Sequence, residues 1–286
     1  MNRRDLLKFA ATPLLAGSAV AAPGQSSRLR SALCAYSYRE ELSKKKMNYS
    51  DLVTLAVETG VDGIDMTVYW FPDTSDNFLI PLRSLAYRHA VEIYSISIRS
   101  EMTRTTPQER RDEVAAIGKW VDVAEKLGAG HIRVFGGKVP TGSSEDQAAA
   151  WCAETLKPAA EYAGKRGIVL GLENHGGITA TAARILEIVK KVDSPAVGIN
   201  LDTGNFEKDA WAQIEMLAPQ AVNVQVKAEI RDDSGNRVPG DWPRVIGILK
   251  KAGYRGYLAL EYEEKDAPAN VPGLLRKLDS MTRHSG

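Results

Sequence analysis

The chain predicts a single (β/α)8 barrel, and three observations carry that expectation. After Arg30, short β-rich runs alternate eight times with longer helix-patterned segments. Glycines and capping residues punctuate those segments where helices should start and stop. Four strand-like runs in the second half, Ile168–Glu173, Val197–Asp202, Val222–Lys227 and Tyr257–Glu261, carry Glu173, Asp202, Gln225 and Glu261 at or near their ends. In a closed parallel barrel the carboxyl ends of all strands open on one mouth, so residues remote in sequence can surround one point there.

In chain order the first strand is expected at Ser31–Ser37, followed by a helix at Tyr49–Thr59. Asn48 and Asp51 suit a capping box at the start of that helix, and Gly60 suits its left-handed end. Strand two falls at Gly63–Val68 with a helix at Leu79–Ala90, and strand three at Glu92–Arg99 with a helix at Pro107–Leu127 that stops at Gly128. Strand four is His131–Phe135. Its helix runs from Ser144 to Arg166, with Gln147 completing a second capping box and Gly167 beyond its end. Strand five, Ile168–Asn174, precedes a helix at Ala180–Val192, and strand six, Val197–Asp202, one at Glu207–Leu217. Strand seven, Val222–Lys227, leads to Pro243–Ala252 and Gly253. Strand eight, Gly256–Tyr262, leads to a closing helix at Pro272–Arg283.

Strand parity sharpens the expectation, because alternate side chains face the barrel interior and the surrounding helices. Val222, Val224 and Val226 oppose Asn223, Gln225 and Lys227; Ile168, Leu170 and Leu172 oppose Val169, Gly171 and Glu173. Val197, Ile199 and Leu201 oppose Gly198, Asn200 and Asp202; Leu258 and Leu260 oppose Tyr257, Ala259 and Glu261. The apolar sets should meet the helices. The small and polar sets should face inward, and burying Glu and Asp there unpaired would be costly.

The composition, 44% hydrophobic and 26% charged over 286 residues, is that of a globular enzyme-sized chain. A net charge of +1 offers no basic excess for nucleic acid. Residues 1–22 differ: Arg3-Arg4 precedes the apolar run Phe9–Val20 and the small-x-small site Ala19-Val20-Ala21. This order reads as a twin-arginine export signal, with a linker at 23–30, the barrel at 31–286 and a periplasmic or otherwise exported address. The apolar run is too short and too rich in Gly and Pro for a membrane span, so no stable membrane insertion is expected after its removal. The two cysteines, Cys34 and Cys152, fall in a strand and a helix about half the barrel apart and are read as buried free thiols.

The motifs Leu172-Glu173-Asn174-His175-Gly176-Gly177, Asn200-Leu201-Asp202-Thr203-Gly204-Asn205 and Leu260-Glu261-Tyr262-Glu263 resemble those of the sugar phosphate isomerase/epimerase superfamily. This is the xylose-isomerase-like TIM-barrel group, with ketose 3-epimerases, hydroxypyruvate isomerase and inosose dehydratase among its members. The resemblance implies one divalent cation held by Glu, Asp, His and Glu at the ends of strands five to eight. Carried over, Glu173, Asp202 and Glu261 match. Where the family usually reads His-x-Lys, this chain reads Gln225-Val226-Lys227, and Asn205 stands where many relatives have His. With Gln225 as the fourth ligand the donor set is all oxygen, which favours Mn2+ or Mg2+ over Zn2+. An ion polarising a carbonyl acidifies the neighbouring C–H, and two carboxylates on opposite faces remove and return the proton. Glu173 and Glu261 are the candidates for that acid–base pair, and Asp202 for a ligand only.

Around them, His175, Lys227, Arg133, Arg99, Asn205 and Trp70 are candidate contacts to a small carbohydrate substrate. Their alternatives are ordinary: a loop histidine, ion pairs with barrel carboxylates such as Asp65, a turn asparagine and a packed loop aromatic. Phe71 accompanies Trp70; His131 is expected in the lower barrel, and His89 and His284 on surface helices. Three functions stay open. The first is a metal-dependent isomerase or epimerase of a sugar or keto-sugar. The second is a lyase or dehydratase using the same enolisation, for instance on a 3-keto-glycoside. The third is a carbohydrate-binding protein without catalysis. The apurinic endonucleases of the same group use many histidines for three zinc ions; four histidines and no basic excess exclude that reading.

Overall fold

The computed structural model describes residues 28–232 and 234–283. Eight parallel strands close into a barrel: β1 (Arg28–Cys34), β2 (Gly63–Thr67), β3 (Glu92–Ser97), β4 (His131–Phe135), β5 (Val169–Glu173), β6 (Val197–Asp202), β7 (Ala221–Val226) and, after an excursion, β10 (Arg255–Leu260). Each pairs with its sequence neighbours in the barrel, and β10 closes the ring on β1. The helices are α1 (Arg39–Ser43), α2 (Tyr49–Thr59), α3 (Asp76–Arg88), α4 (Pro107–Leu127), α5 (Glu145–Gly164), α6 (Ala182–Val192), α7 (Ala210–Leu217), α8 (Trp242–Lys251) and α9 (Ala267–Arg283). The excursion after β7 is a short antiparallel hairpin, β8 (Glu229–Arg231) and β9 (Arg237–Pro239).

All eight expected strands form, with shifted edges. β1 begins at Arg28, inside the expected linker, and ends at Cys34, where a 3-10 turn over Ala35–Tyr38 replaces the last strand residues. Its extra first residues pair with Arg255, Gly256 and Tyr257 of β10, and that pairing is what fixes the earlier start. α9 begins before Pro272: burial of Ala267 and Val271 against the core outweighs the backbone hydrogen bond that the proline lacks. The capping boxes of Asn48 with Asp51 and of Ser144 with Gln147 are formed, and Thr106 with Glu109 makes another at α4. Gly60, Gly128, Gly167 and Gly253 all adopt the left-handed φ expected after a helix.

Parity sorts the core as expected except at Val222, which is exposed and lies beside Gly198. Leu170, Leu172, Ile199, Leu201, Val224, Val226, Leu258 and Leu260 belong to the large apolar layer between barrel and helices. A second, small apolar cluster of Ala32, Cys34, Tyr94 and Ala259 fills the lower barrel, with Tyr94 stacked on Tyr257 at 3.7 Å. Gly171 is needed at its inward position, since a Cβ there would stand 2.2 Å from Nε2 of His131. That histidine is buried, and its Nδ1 lies 2.8 Å from the Ser95 hydroxyl, in the lower barrel as expected. Both cysteines are free and buried. His89 is exposed, whereas His284 and residues 1–27, with the segment expected to be an export signal, lie outside the described residues.

Candidate active site

Strand register brings the polar ends together. Asp202 pairs with Gln225, Glu173 with Asn200 and Phe135 with Glu173. Glu261 and Lys227 lie one residue beyond their strands; the Glu261 amide still donates to Val226 O at 3.0 Å, so both remain tied to the mouth. Glu173, Asp202, Lys227, Glu261 and Arg133 are all buried.

The carboxylates divide into two groups. Glu173 Oε2 stands 2.9 Å from Arg133 Nε, a Coulombic contact without hydrogen-bond alignment, and Glu173 Oε1 accepts from Asn205 Nδ2 at 3.0 Å. Arg133 spends its other donors on Tyr69 Oη at 3.1 Å and Ile98 O at 2.9 Å. Across the mouth, Lys227 Nζ donates to Glu261 Oε2 at 2.5 Å and lies 3.1 Å from Asp202 Oδ2 and 3.2 Å from Glu263 Oε2. Asn174 fastens the two groups together: its Nδ2 donates to Asp202 O and its Oδ1 accepts from Asp202 N, both at 2.8 Å.

These surroundings set opposite protonation preferences. Burial, reinforced by Asp202 and Glu261, raises the Glu173 carboxyl well above the usual range against the pull of Arg133. Burial likewise pushes Asp202 up to about 7, although Lys227 opposes it. Burial also works on Glu261, but there the Lys227 ammonium, by charge and by hydrogen bond, prevails and holds the carboxyl down to about 2.

Below the mouth runs a chain of amides. Tyr94 Oη donates to Asn223 Oδ1 at 3.0 Å, Asn223 Nδ2 to Asn200 Oδ1 at 2.7 Å, and Asn200 Nδ2 to Gln225 Oε1 at 2.7 Å. Gln225 Nε2 then faces Asp65 Oδ2 at 3.4 Å and Cys34 Sγ at 3.7 Å. Gln225 therefore faces the barrel interior as parity requires, but its carbonyl oxygen is engaged below the mouth. Among the described residues no three His, Cys, Asp or Glu side chains are arranged to hold a metal ion. With Gln225 engaged and an ammonium between Asp202 and Glu261, the four sequence-predicted ligands as arranged do not fit a divalent ion.

The candidate substrate contacts separate. Lys227 and Arg133 line the floor, the latter paired with Glu173 and not with Asp65, and Asn205 joins Glu173. Asp65 is instead held by the Ser97 hydroxyl at 2.8 Å. Arg99 lies beyond the end of β3, exposed, with its guanidinium 4.3 Å from the Tyr69 ring centre. His175 is exposed and packs on Phe135 at 4.1 Å. Trp70 is half-buried in an aromatic wall, stacked on Tyr36 at 6.0 Å and edge-on to Tyr69 at 5.7 Å. Phe71 packs against Tyr49, away from that wall. Sequence reading missed Asn174, Glu263 and Tyr69 as partners. Asn174 and Glu263 sit inside motifs already recognised, but only the register of β5 on β6 and the reach of Lys227 reveal their roles.

Residues 53–282 match the family described as Xylose isomerase-like TIM barrel, and the chain belongs to that family. Its superfamily comprises sugar isomerases, epimerases and lyases that abstract a proton next to a carbonyl, and the chain is an enzyme of this class. No curated protein matches the chain. Among solved structures, D-psicose 3-epimerase from Clostridium cellulolyticum H10, solved with D-tagatose, superposes with a TM-score of 0.74 at 14% identity, covering 90% of this chain and 99% of its own. The 3-keto-D-glucoside 4-epimerase of E. coli gives 0.66 at 15% identity, with 83% and 94% covered. The IOLI protein with a bound zinc atom gives 0.73 at 14%, with 89% and 96% covered. At such identities these likenesses establish the fold.

Proposed function

We propose that the chain epimerises or isomerises a non-phosphorylated sugar or keto-sugar through an enediolate, with Glu261 as base and Glu173 as acid. The observation that carries this reading is the pair of buried glutamates at one mouth, each with a cation of its own. Environments that push two carboxyl pKa values apart assign the acid and the base. Glu261, kept ionised, takes the C–H proton next to the substrate carbonyl; the electron pair of that bond forms the C=C, and the carbonyl oxygen takes up the charge. Glu173, kept protonated, returns a proton to carbon from the other side, and Arg133 receives the charge that Glu173 then acquires. Asn205 fixes the orientation of Glu173 throughout. The wall of Tyr36, Tyr69 and Trp70 offers an apolar face to a sugar ring. Arg133 and Lys227 already serve carboxylates, which disfavours a phosphorylated substrate.

Elimination is the second reading, because the same first step expels a β-substituent from a 3-keto-glycoside; the 3-keto-glucoside epimerase among the similar structures supports substrates of that type. The sequence expectation of one Mn2+ or Mg2+ would require Lys227 and Gln225 to release their present partners, and no step above runs through an ion. Export through the twin-arginine route is supported by the Arg3-Arg4 segment, and fractionation of cells producing the tagged full chain tests it. The reaction is tested by incubating keto-sugars and 3-keto-glycosides in D2O. Deuterium entering one carbon with no other change supports epimerisation or isomerisation. Loss of water or an aglycone supports elimination. Binding with neither result favours the carbohydrate-binding reading.

A further inference from the structure

The position of the Lys227 ammonium deepens the reading above, on which it rests for the reaction but not for its own test. A divalent ion shared by Asp202 and Glu261 would need to lie about 2.0–2.2 Å from an oxygen of each. Nζ of Lys227 already stands between those oxygens, 3.1 Å from Asp202 Oδ2 and 2.5 Å from Glu261 Oε2, and 3.2 Å from Glu263. Two cations cannot share that volume. The remaining sequence-predicted oxygen ligand is committed: Gln225 accepts from Asn200 and faces Asp65 and Cys34. Turning its amide over would set Nε2 against the Asn200 amide donor and Oε1 against Asp65. The lysine is itself anchored, since its main-chain N donates to Thr203 Oγ1 at 3.1 Å and its O accepts from Trp242 Nε1 at 2.8 Å.

We propose that Lys227 is the resident cation of this active site, occupying the place of a divalent ion between Asp202 and Glu261, so that the enzyme enolises its substrate without a bound metal. An ammonium has three donors, and only the one to Glu261 is aligned as a hydrogen bond; the contacts to Asp202 and Glu263 are ion pairs. As a proton leaves carbon for Glu261, the negative charge that Glu261 loses reappears on the substrate oxygen. Lys227 stays paired by following it, and no oxidant, reductant or further reactant is consumed.

The test titrates Mn2+ into chelator-treated full-length protein and follows the free-ion signal by electron paramagnetic resonance. The wild type is expected to leave the signal undiminished, while Lys227→Ala, with the place vacated and the carboxylates left, should remove one Mn2+ per chain. Circular dichroism checks that the variant is folded; should it fail to fold, Lys227→Gln is read the same way. Stoichiometric Mn2+ binding by the wild type overturns the proposal. So does a folded variant that binds no more than the wild type, since Lys227 would then not hold the ion's place. The D2O exchange experiment is independent. Exchange together with wild-type Mn2+ binding defeats this inference alone, and no exchange together with the expected titration defeats only the assigned reaction.

Discussion

Glu173 and Glu261 are the same residue at the same depth of one mouth, and their neighbours make them opposites. Glu173 has a guanidinium that also serves Tyr69 and Ile98, in a contact lacking hydrogen-bond alignment. Glu261 has an ammonium at 2.5 Å in an aligned hydrogen bond. Burial penalises both, and the quality of the counter-ion decides which one keeps its charge. The acid and base of the proposed reaction would thus come from one side-chain type, with no difference in burial needed.

The largest break in that symmetry should come from removing either carboxyl. Glu173→Gln and Glu261→Gln are each expected to lower kcat by roughly 100-fold or more, in D2O-exchange or turnover assays. A full-rate variant at either position removes that residue from the mechanism. Stability sharpens the comparison next. Lys227→Met strands an ionised buried carboxylate and is expected to cost about 3–5 kcal/mol in denaturant unfolding. Arg133→Met leaves a carboxyl whose burial favours the protonated form and should cost less, about 1–3 kcal/mol. The reverse order would mean that Glu173 carries the charge.

The smallest effect is in the pH profile. The folded pKa of Asp202, about 7, lies above its unfolded value near 3.9, so its contribution is fully present below about pH 3.9. It is lost as pH rises through 7, and Glu173 acts in the same sense. Glu261 acts in the opposite sense, its contribution being present above about pH 4.3 and lost as pH falls through 2. Lys227, Glu261 and Glu173 face Asp202, and all are retained in Asp202→Asn. That variant should show a Tm that declines less between about pH 4 and 7 than the wild type does. An unchanged slope would place the titration elsewhere.

The barrel was legible in the sequence because parity is a local property. Gly171, Glu173, Asn200, Asp202, Asn223 and Gln225 alternate with aliphatic residues, and that alternation alone puts them inside. The hairpin β8–β9 was not legible, since three-residue strands are too short to alternate. Nor were the partners at the mouth. Whether Gln225 serves an ion or Asn200 depends on a register shift between Ile199 and Asn200 that sets Asn200 beside Asn223. Whether Arg133 meets Asp65 or Glu173 depends on the register of β4 on its neighbour β5, which sets Arg133 beside Gly171, two residues before Glu173. Side chains choose among neighbours, and a sequence does not display which neighbours it will have.

The ladder of Asn223, Asn200 and Gln225 beneath the mouth has an electrical consequence. Carboxylic acids, imidazoles and water pass protons along by giving one up and taking another, whereas a primary amide holds its hydrogens at neutral pH. A string of three amides is therefore an insulator laid across the barrel. Along this string, protons do not pass from the mouth toward Tyr94. Isotope from the bathing water is therefore expected to reach the pair of glutamates in the proposed reaction from the mouth and not along this ladder.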